Sequence, residues 1–148
     1  MKIATWNVNS LKVRLPQVLE WLSVAEPDFV GLQELKLDQD KFPIDAIKAA
    51  GYEAVWLGQK TYNGVAILSK TAGKDVVLNM PGDDDPQKRL IAATYDTEHG
   101  PLRLVNVYCP NGQSLESDKY PYKLAWFDRL AQWLAQEMQT YPNLAIVG

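Results

Sequence analysis

Residues 2–34, which read KIATWNVNSLKVRLPQVLEWLSVAEPDFVGLQE, decide the fold because two apolar segments flank one helical segment. Lys2–Val8 and Asp28–Glu34 are short and largely apolar, as buried strands are. Between them, Arg14–Val24 carries leucine and valine at helical spacing, with Pro16 near its start. This stretch therefore predicts a strand, a helix and a second strand.

A polar residue stands at the downstream end of each of these two strands. Asn7 ends the first apolar segment and Glu34 ends the second. In an open α/β sheet, the carboxyl ends of strands line the crevice in which ligands bind. A carboxylate and an amide at that position are candidate ligands for a hard metal ion. The alternatives are a solvent-facing Glu34 and a turn-forming Asn7, and the pattern alone leaves both open.

The remainder of the chain predicts consecutive strands followed by one long helix. The predicted strands are Tyr52–Leu57, Val65–Ser69, Lys74–Asn79, Leu90–Asp96, Leu102–Cys109 and Asn143–Gly148, and the predicted helices are Asp45–Ala50 and Asp118–Thr140. The long helix places Leu124, Phe127, Leu130, Ala131, Leu134 and Met138 on one side. We expect that side to cover a sheet. This order of elements indicates an α/β protein with a pair of mixed sheets and helices outside them.

Composition indicates one globular core and no membrane segment. The chain has 148 residues, 47% of them apolar, which is enough for one domain. Its apolar stretches are far shorter than the roughly 18 residues of a membrane helix, and the N-terminus does not read as a signal segment. The single cysteine, Cys109, excludes an internal disulfide framework and a Cys-rich zinc site. We therefore expect a cytoplasmic protein in which Cys109 is a small core residue.

The charge balance argues against a protein that holds nucleic acid by bulk electrostatics. There are 15 basic and 18 acidic residues, for a net charge of -3. A local basic face is still open, and its candidates are Lys12, Arg14, Lys36, Lys60, Lys88 and Arg89, all in predicted loops or element ends. The alternative is a set of scattered solvent charges. The chain has neither a Gly-x-Gly-x-x-Gly motif nor a Walker loop, so dinucleotide and P-loop chemistry lack their phosphate cradle.

Four motifs together resemble one family. They are TWNVNSL at 5–11, LQELK at 32–36, GQKTYNGVA at 58–66 and NVYCPNG at 106–112. In this order they resemble the exonuclease III family of DNA repair enzymes, within the endonuclease/exonuclease/phosphatase superfamily. DKFP at 40–43 and KYPYK at 119–123 favour that branch over relatives that cut lipids or inositol phosphates. The resemblance implies half of a four-layer α/β sandwich of two mixed β-sheets flanked by helices.

The resemblance also implies a magnesium-dependent DNA phosphodiesterase of base-excision repair. Such an enzyme cuts on the 5′ side of abasic sites and trims 3′ ends, and its substrate is double-stranded DNA with abasic sites or 3′ ends. Glu34 is then the direct ligand of Mg²⁺, for which Mn²⁺ can substitute. Asn7 assists through its amide oxygen or orients a ligand. Tyr108 takes the place of the family's active-site tyrosine, although by spacing alone it would be a core aromatic residue.

Several further residues are implied as DNA contacts. Arg89 resembles the arginine that grips DNA near the damaged nucleotide, and Lys88 stands where the family often has a second arginine. The other implied contacts are Lys36, Lys60, Asn63, Asn111 and Gln113. The alternative for Lys60 and Asn63 is an ordinary polar hairpin.

The family's later motifs lie outside these 148 residues. In the family, Ile-Val-Gly precedes an Asp-x-Asn motif, and a Ser-Asp-His motif comes near the end. Here Ile-Val-Gly occupies 146–148, and the sole histidine, His99, falls in a predicted surface turn. We therefore expect residues 1–148 to be the N-terminal half of a single domain with no internal boundary, to need the C-terminal half as a partner, and to be almost inactive alone.

A second hypothesis comes from a different class of protein. The chain can instead be a non-catalytic DNA-binding module, or an α/β module that assembles with a partner chain. An unpaired sheet edge and uncovered apolar surface would favour such association.

Overall fold

The computed structural model describes all 148 residues and contains eight strands and three α-helices. In chain order these are β1 (Ile3–Asn7), α1 (Leu11–Ala25), β2 (Phe29–Gln33), α2 (Ile44–Ala49), β3 (Glu53–Leu57), β4 (Val65–Ser69), β5 (Lys74–Leu78), β6 (Leu90–Thr97), β7 (Gly100–Val107), α3 (Lys119–Thr140) and β8 (Leu144–Val147). Every predicted helix and strand is confirmed. The largest displacement is at the start of α1, which begins at the buried Leu11. A short 3₁₀ turn at Gln39–Lys41 was not predicted.

The strands form two four-stranded sheets. The first sheet has the order β1-β2-β4-β3 and the second has the order β5-β6-β7-β8. In each sheet one pair is parallel, β1 with β2 and β7 with β8, and the other pairs are antiparallel. Each parallel pair is joined by a helix, as a parallel connection requires. Both sheets are therefore mixed, as predicted.

Side chains along the central strands face a helix and the other sheet in turn, and this alternation produces four layers. Val30 and Leu32 on β2 pack against α1, whereas Phe29 faces the second sheet. In the same way, Leu104 on β7 faces the first sheet and Val105 faces α3. Because side chains alternate between the two faces of a strand, each sheet has one helix-covered face and one sheet-covered face. The layers are thus helix, sheet, sheet, helix, which confirms the expected architecture.

The side of α3 that meets the sheet differs from the predicted one. Trp126, Leu130 and Glu137 are buried there. Leu124, Phe127 and Met138 are 50%, 39% and 63% exposed and face away, and Ala131 is exposed as well. The physical reason is a buried ion pair, in which the Arg103 guanidinium on β7 lies 3.0 Å from the Glu137 carboxylate. An unpaired buried cation is costly, so this contact holds Glu137 on the inner side of the helix.

Cys109 is exposed, so its prediction as a core residue was wrong. The reason is that β7 ends at Val107, and Cys109 lies in the loop that follows. None of the three helices is both long enough and apolar enough to cross a membrane.

Candidate functional site

Asn7 and Glu34 meet at one end of the sheet pair, which we call the site end. It is the end at which β1, β2 and β7 finish. Asn7 pairs in register with Gln33, so Glu34 follows directly beside it. The Asn7 Nδ2 donates a hydrogen bond to Glu34 Oε1 at 2.9 Å, and the Asn7 Oδ1 accepts one from the Asn9 N–H at 3.1 Å. The amide nitrogen of Asn7 therefore faces the carboxylate, an arrangement that orients Glu34.

The backbone around Glu34 is held in a strained conformation. Glu34 has a φ of 57° and Lys36 has a φ of 54°, in the left-handed region that ordinary residues rarely adopt. Such a conformation costs about 1–3 kcal/mol per residue and persists only where neighbours enforce it. Here the Glu34 carbonyl accepts from the Ser10 N–H at 2.8 Å, and the Leu35 N–H donates to the Gly64 carbonyl at 3.1 Å. Two neighbouring loops thus fix the position of the carboxylate.

Glu34 is half-buried and remains ionised. Burial raises the pKa of this carboxyl, but hydrogen bonding with Asn7, Tyr108 and Lys36 outweighs that effect and leaves the pKa below its ordinary value. The Lys36 Nζ lies 3.2 Å from Glu34 Oε2 and also donates to Asn9 Oδ1 at 2.6 Å. A negative charge is therefore present at this position at neutral pH.

Tyr108 approaches the same carboxylate from the second sheet. Its backbone N–H donates to the Arg89 carbonyl at 2.7 Å, directly after β7. Burial and the nearby Glu34 charge raise the pKa of the phenol, and Arg89 offsets part of that rise. The phenol therefore keeps its proton at neutral pH and is available as a hydrogen-bond donor.

The guanidinium of Arg89 is held by two aromatic rings. It lies 4.9 Å from the centroid of Tyr108 and 5.7 Å from that of Tyr122. Its Nε donates to Gln87 Oε1 at 2.8 Å and its Nη1 donates to the Tyr108 carbonyl at 3.1 Å. Neither of these two hydrogen bonds uses Nη2, so this nitrogen can donate to an anionic ligand.

Tyr122 is itself anchored by an acidic loop. Its hydroxyl donates to Asp85, and burial together with this contact raises the pKa of Tyr122 to about 12. Asp83 and Asp85 also bind Arg129 of α3, at 3.0 and 3.4 Å. A chain of contacts thus runs from Arg129 through Asp85 and Tyr122 to the Arg89 guanidinium, and both Arg129 and Tyr122 are on α3.

These groups surround a cleft of about 500 Å³. Its lining consists of Glu34, Lys36, Tyr62, Asn63, Gln87, Arg89, Tyr108, Pro110, Asn111, Asp118, Lys119 and Tyr122. The structure therefore brings together most of the residues singled out in the sequence. Asn7 joins them through its bond to Glu34, whereas Lys60 and Gln113 are exposed and lie outside the lining.

Some residues of the site were not recognised in the sequence. Gln59 is one: its Oε1 accepts from Asn63 Nδ2 at 3.1 Å and from the Lys88 N–H at 2.9 Å, which ties two loops together. The side chain of Asn63 is only 7% exposed. Its role in holding these two loops together is therefore at least as important as any contact with a ligand. Gln59 and Tyr122 do lie within two of the motifs quoted above, but spacing alone assigns neither a partner.

The donor set suits magnesium better than zinc. The structure has no group of three or more His, Cys, Asp or Glu side chains that could hold a metal ion. Magnesium is bound through one or two carboxylates and keeps several waters, so the single oriented Glu34 fits it. Zinc takes three or four protein ligands, more than the one carboxylate at this position. His99 is not a candidate, because it lies in the β6–β7 turn with its side chain 72% exposed.

Comparison with known proteins adds four likenesses. The Endonuclease/Exonuclease/phosphatase family matches residues 4–148. Exodeoxyribonuclease III of Haemophilus influenzae is 35% identical over all of this chain, which covers 56% of that protein. The structure of the 3′ phosphatase NExo from Neisseria, bound to a product DNA hairpin, has a TM-score of 0.95 and 52% identity over all of this chain and 56% of its own.

An archaeal structure is also similar. The AP endonuclease from Archaeoglobus fulgidus has a TM-score of 0.85 and 38% identity, over 92% of this chain and 51% of its own. The chain thus spans about half the length of the relatives it matches.

Proposed function

The chain belongs to the Endonuclease/Exonuclease/phosphatase family, and we propose that it supplies one side of a metal-dependent site that hydrolyses phosphate esters in damaged DNA. The single observation that carries this proposal is the contact of Asn7 with Glu34 beside Tyr108 and Arg89. It joins a fixed negative charge, a neutral proton donor and a cation around one cleft. This combination suits a reaction at phosphorus, in which negative charge builds on the phosphoryl oxygens.

Glu34 would hold Mg²⁺, and Mn²⁺ would substitute for it. When bound, the metal neutralises charge on the phosphoryl oxygens and orients the ester. Asn7 keeps one carboxylate oxygen in place through its 2.9 Å hydrogen bond. Of the two roles considered for Asn7, this geometry favours orienting the ligand over serving as one.

Tyr108 would stabilise the developing charge. Because its pKa lies above the ordinary value, the phenol donates a hydrogen bond at neutral pH and does not act as a base. Arg89 would bind a phosphate oxygen through Nη2, since its other contacts hold the guanidinium between Tyr108 and Tyr122.

The remaining DNA contacts are proposed from the position of each residue relative to the cleft. Lys36 and Asn111 line the cleft and would contact the backbone near the scissile phosphate. Lys60 and Gln113 are exposed beyond the lining and would contact phosphates farther along the duplex. Asn63 would mainly stabilise the conformation of its own loop, and only the edge of its amide would be accessible to DNA.

We propose double-stranded DNA with an abasic site or a 3′ end as the substrate. The names of the relatives support this class, since they include an exodeoxyribonuclease III, a 3′ phosphatase and an AP endonuclease. We also propose that residues 1–148 are the N-terminal half of one catalytic domain, because they cover 56% of the Haemophilus protein. A cytoplasmic location agrees with the use of a single cysteine.

The test is a cleavage assay on a duplex with one abasic site and on a duplex with a 3′ phosphate. The full-length protein should act on one or both with Mg²⁺ or Mn²⁺ and stop when a chelator is added. The 148-residue chain alone should show almost no turnover, and robust activity from it would contradict the half-domain proposal. Tight binding to both duplexes without cleavage by the full-length protein would favour the non-catalytic module instead.

A further inference from the structure

Two buried amide side chains lie directly beneath the site. Gln33 is at the end of β2 in the first sheet, and Asn106 is near the end of β7 in the second. They are 2% and 0% exposed. The Gln33 Nε2 donates to Asn106 Oδ1 at 2.6 Å, across the interface between the sheets. Burying polar groups in an otherwise apolar layer is unfavourable unless they are hydrogen-bonded, so this pair has to be well satisfied.

Asn106 makes all of its side-chain hydrogen bonds to the opposite sheet. Besides accepting from Gln33, it donates through Nδ2 to the carbonyl of Leu32 at 2.9 Å and to that of Ala66 at 2.8 Å. Leu32 is on β2 and Ala66 is on β4. One side chain of the second sheet thus binds two strands of the first.

Gln33 extends the connection to the edge strand. Its Nε2 also lies 2.9 Å from the Thr5 Oγ1 on β1 and 3.1 Å from the carbonyl of Gly31. We call Gln33 and Asn106 together the amide brace. It connects β1, β2, β4 and β7.

The close approach of the two sheets at the brace requires a glycine. A Cβ at Gly31 would lie 2.8 Å from Asn106 Oδ1 and 2.7 Å from Val147 Cγ2, closer than such contacts normally come. A side chain at this position would push the sheets apart. The hydrogen bonds of this buried polar network can form in only one relative placement of the two sheets. An apolar layer of similar volume would not select a single placement.

The members of the brace stand immediately before the residues of the site. Gln33 precedes Glu34, Asn106 comes two residues before Tyr108, and Thr5 comes two residues before Asn7. We propose that the amide brace positions the Tyr108 phenol against the Glu34 carboxylate, with Gln33 and Asn106 as positioning residues. This inference rests on the proposed function, because it assigns the brace a purpose in that reaction. A misplacement of about 1 Å can reduce a rate by about 100-fold.

The kinetic test uses Asn106→Leu and Gln33→Met in the full-length protein, each alone and combined with Tyr108→Phe. Alone, each should lower kcat about 10- to 100-fold with KM for the DNA unchanged. In the Tyr108→Phe background, neither should cause a further loss, because the hydroxyl that the brace positions is gone. The same loss in both backgrounds would overturn the proposal. If Asn106→Leu does not fold, the same kinetic comparison with Gln33→Met tests the proposal.

Thr94→Val is the matched control. Thr94 is also a buried polar residue of the second sheet, 7% exposed, and its Oγ1 accepts from Arg103 at 3.1 Å. It lies on β6, away from the site, so its variant also loses a buried hydrogen bond. We expect its kcat to be that of the unsubstituted protein. A loss equal to that of Asn106→Leu would indicate general loosening and overturn the proposal.

A crystal structure of Asn106→Leu separates this inference from the proposed function. The distance from the Tyr108 hydroxyl to the Glu34 carboxylate should change by about 1 Å relative to the unsubstituted protein. An unchanged distance would overturn the brace as a positioning device. If the unsubstituted protein cuts no DNA, the proposed function fails, and this structural comparison still decides the role of the brace.

Discussion

The two ends of the sheet pair contain similar types of residue, but these residues are organised differently. At the end opposite the site, which we call the far end, a cavity of about 320 Å³ lies among residues that include Asp28, Lys70, Asp96 and Glu98. It therefore has carboxylates, a lysine and a concave surface, as the site end has. Its charged groups, however, form only exposed pairs. In the Lys74–Asp96 pair the two side chains are 61% and 71% exposed, and such exposed pairs contribute little to stability.

Backbone conformation separates the two ends further. Non-glycine residues with positive φ are concentrated in the loops of the site end, namely Asn9, Ser10, Glu34, Lys36, Thr61, Asn63, Asn79 and Gln113. Glu26 and Asp75 are the two at the far end. A strained backbone and half-buried polar groups that hydrogen-bond to one another are typical of a functional site. These two features distinguish the site end from a cavity that only contains charged residues.

The largest expected difference between the ends concerns their carboxylates. Glu34→Gln should lower kcat/KM on abasic DNA about 1,000-fold, because it removes the proposed metal ligand. DNA binding should change little. Glu98→Gln is the control, since Glu98 is 80% exposed at the far end and should leave the rate unchanged. Steady-state kinetics on the full-length protein measures both, and a Glu34→Gln variant that cuts at the full rate would remove the metal assignment.

A smaller loss is expected at the tyrosines. Tyr108→Phe should lower kcat about 100-fold, because it removes one donor to the developing charge. Tyr95→Phe is the matched control: Tyr95 is a buried tyrosine that packs between the sheets and does not line the cleft. Its variant should retain normal kcat, measured in the same assay. Equal losses in the two variants would mean that Tyr108 acts only through packing.

The cations should differ in binding rather than in rate. Arg89→Ala should weaken binding to duplex DNA about 10-fold and reduce the slope of log K against log salt by about 1, as expected for one lost phosphate contact. Lys74→Ala, at the far end, should leave both quantities unchanged. Fluorescence anisotropy at several salt concentrations measures them. A slope unaltered by Arg89→Ala would argue against a phosphate contact there.

The smallest expected effect is a shift in one pKa. Asn7→Ala removes a hydrogen bond that favours the ionised form of Glu34, so the pKa of Glu34 should rise toward 4.5. The pKa of Asp28 is lowered mainly by the backbone N–H of Lys2, at the far end, and should not change. Carboxyl carbon NMR titration reports both groups. A Glu34 pKa that stays the same would exclude Asn7 as its orienting partner.

The direction of the pH effect on stability follows from the same shift. Because the pKa of Glu34 is lower in the folded protein, its ionised form contributes stability above pH 4.5. That contribution is lost as the pH falls through the folded-state pKa. In Asn7→Ala the contribution should be smaller, and the loss should occur at a higher pH.

Much of the fold was predictable because it depends on local patterns. Alternation and helical spacing repeat within a few residues, so the strands around Val30 and Val105 could be predicted from their own neighbours. The family motifs are equally local, and the resemblance that they indicated is confirmed by the family match over 4–148. Asn7 and Glu34 could be singled out for the same reason, since each stands where an apolar run ends.

The contacts that complete the site were not predictable in this way. Gln33 meets Asn106 across 73 positions in sequence, and Arg103 meets Glu137 across 34. Nothing in the spacing of these residues says which pairs will meet. The predicted side of α3 was wrong for this reason, because helical spacing does not show that Glu137 pairs with the buried Arg103.

The amino-acid sequence by itself thus determined the order of the elements, the pair of mixed sheets with helices outside them and the polar residues at the strand ends, since these depend on short-range periodicity. Only the tertiary structure decided that Asn7 turns its nitrogen toward Glu34, that Arg89 lies between Tyr108 and Tyr122, and that two buried amides join the sheets. The physical reason is that hydrogen bonds and ring contacts act over a few ångströms. Their partners are therefore chosen by the packing of the two sheets and not by distance along the chain.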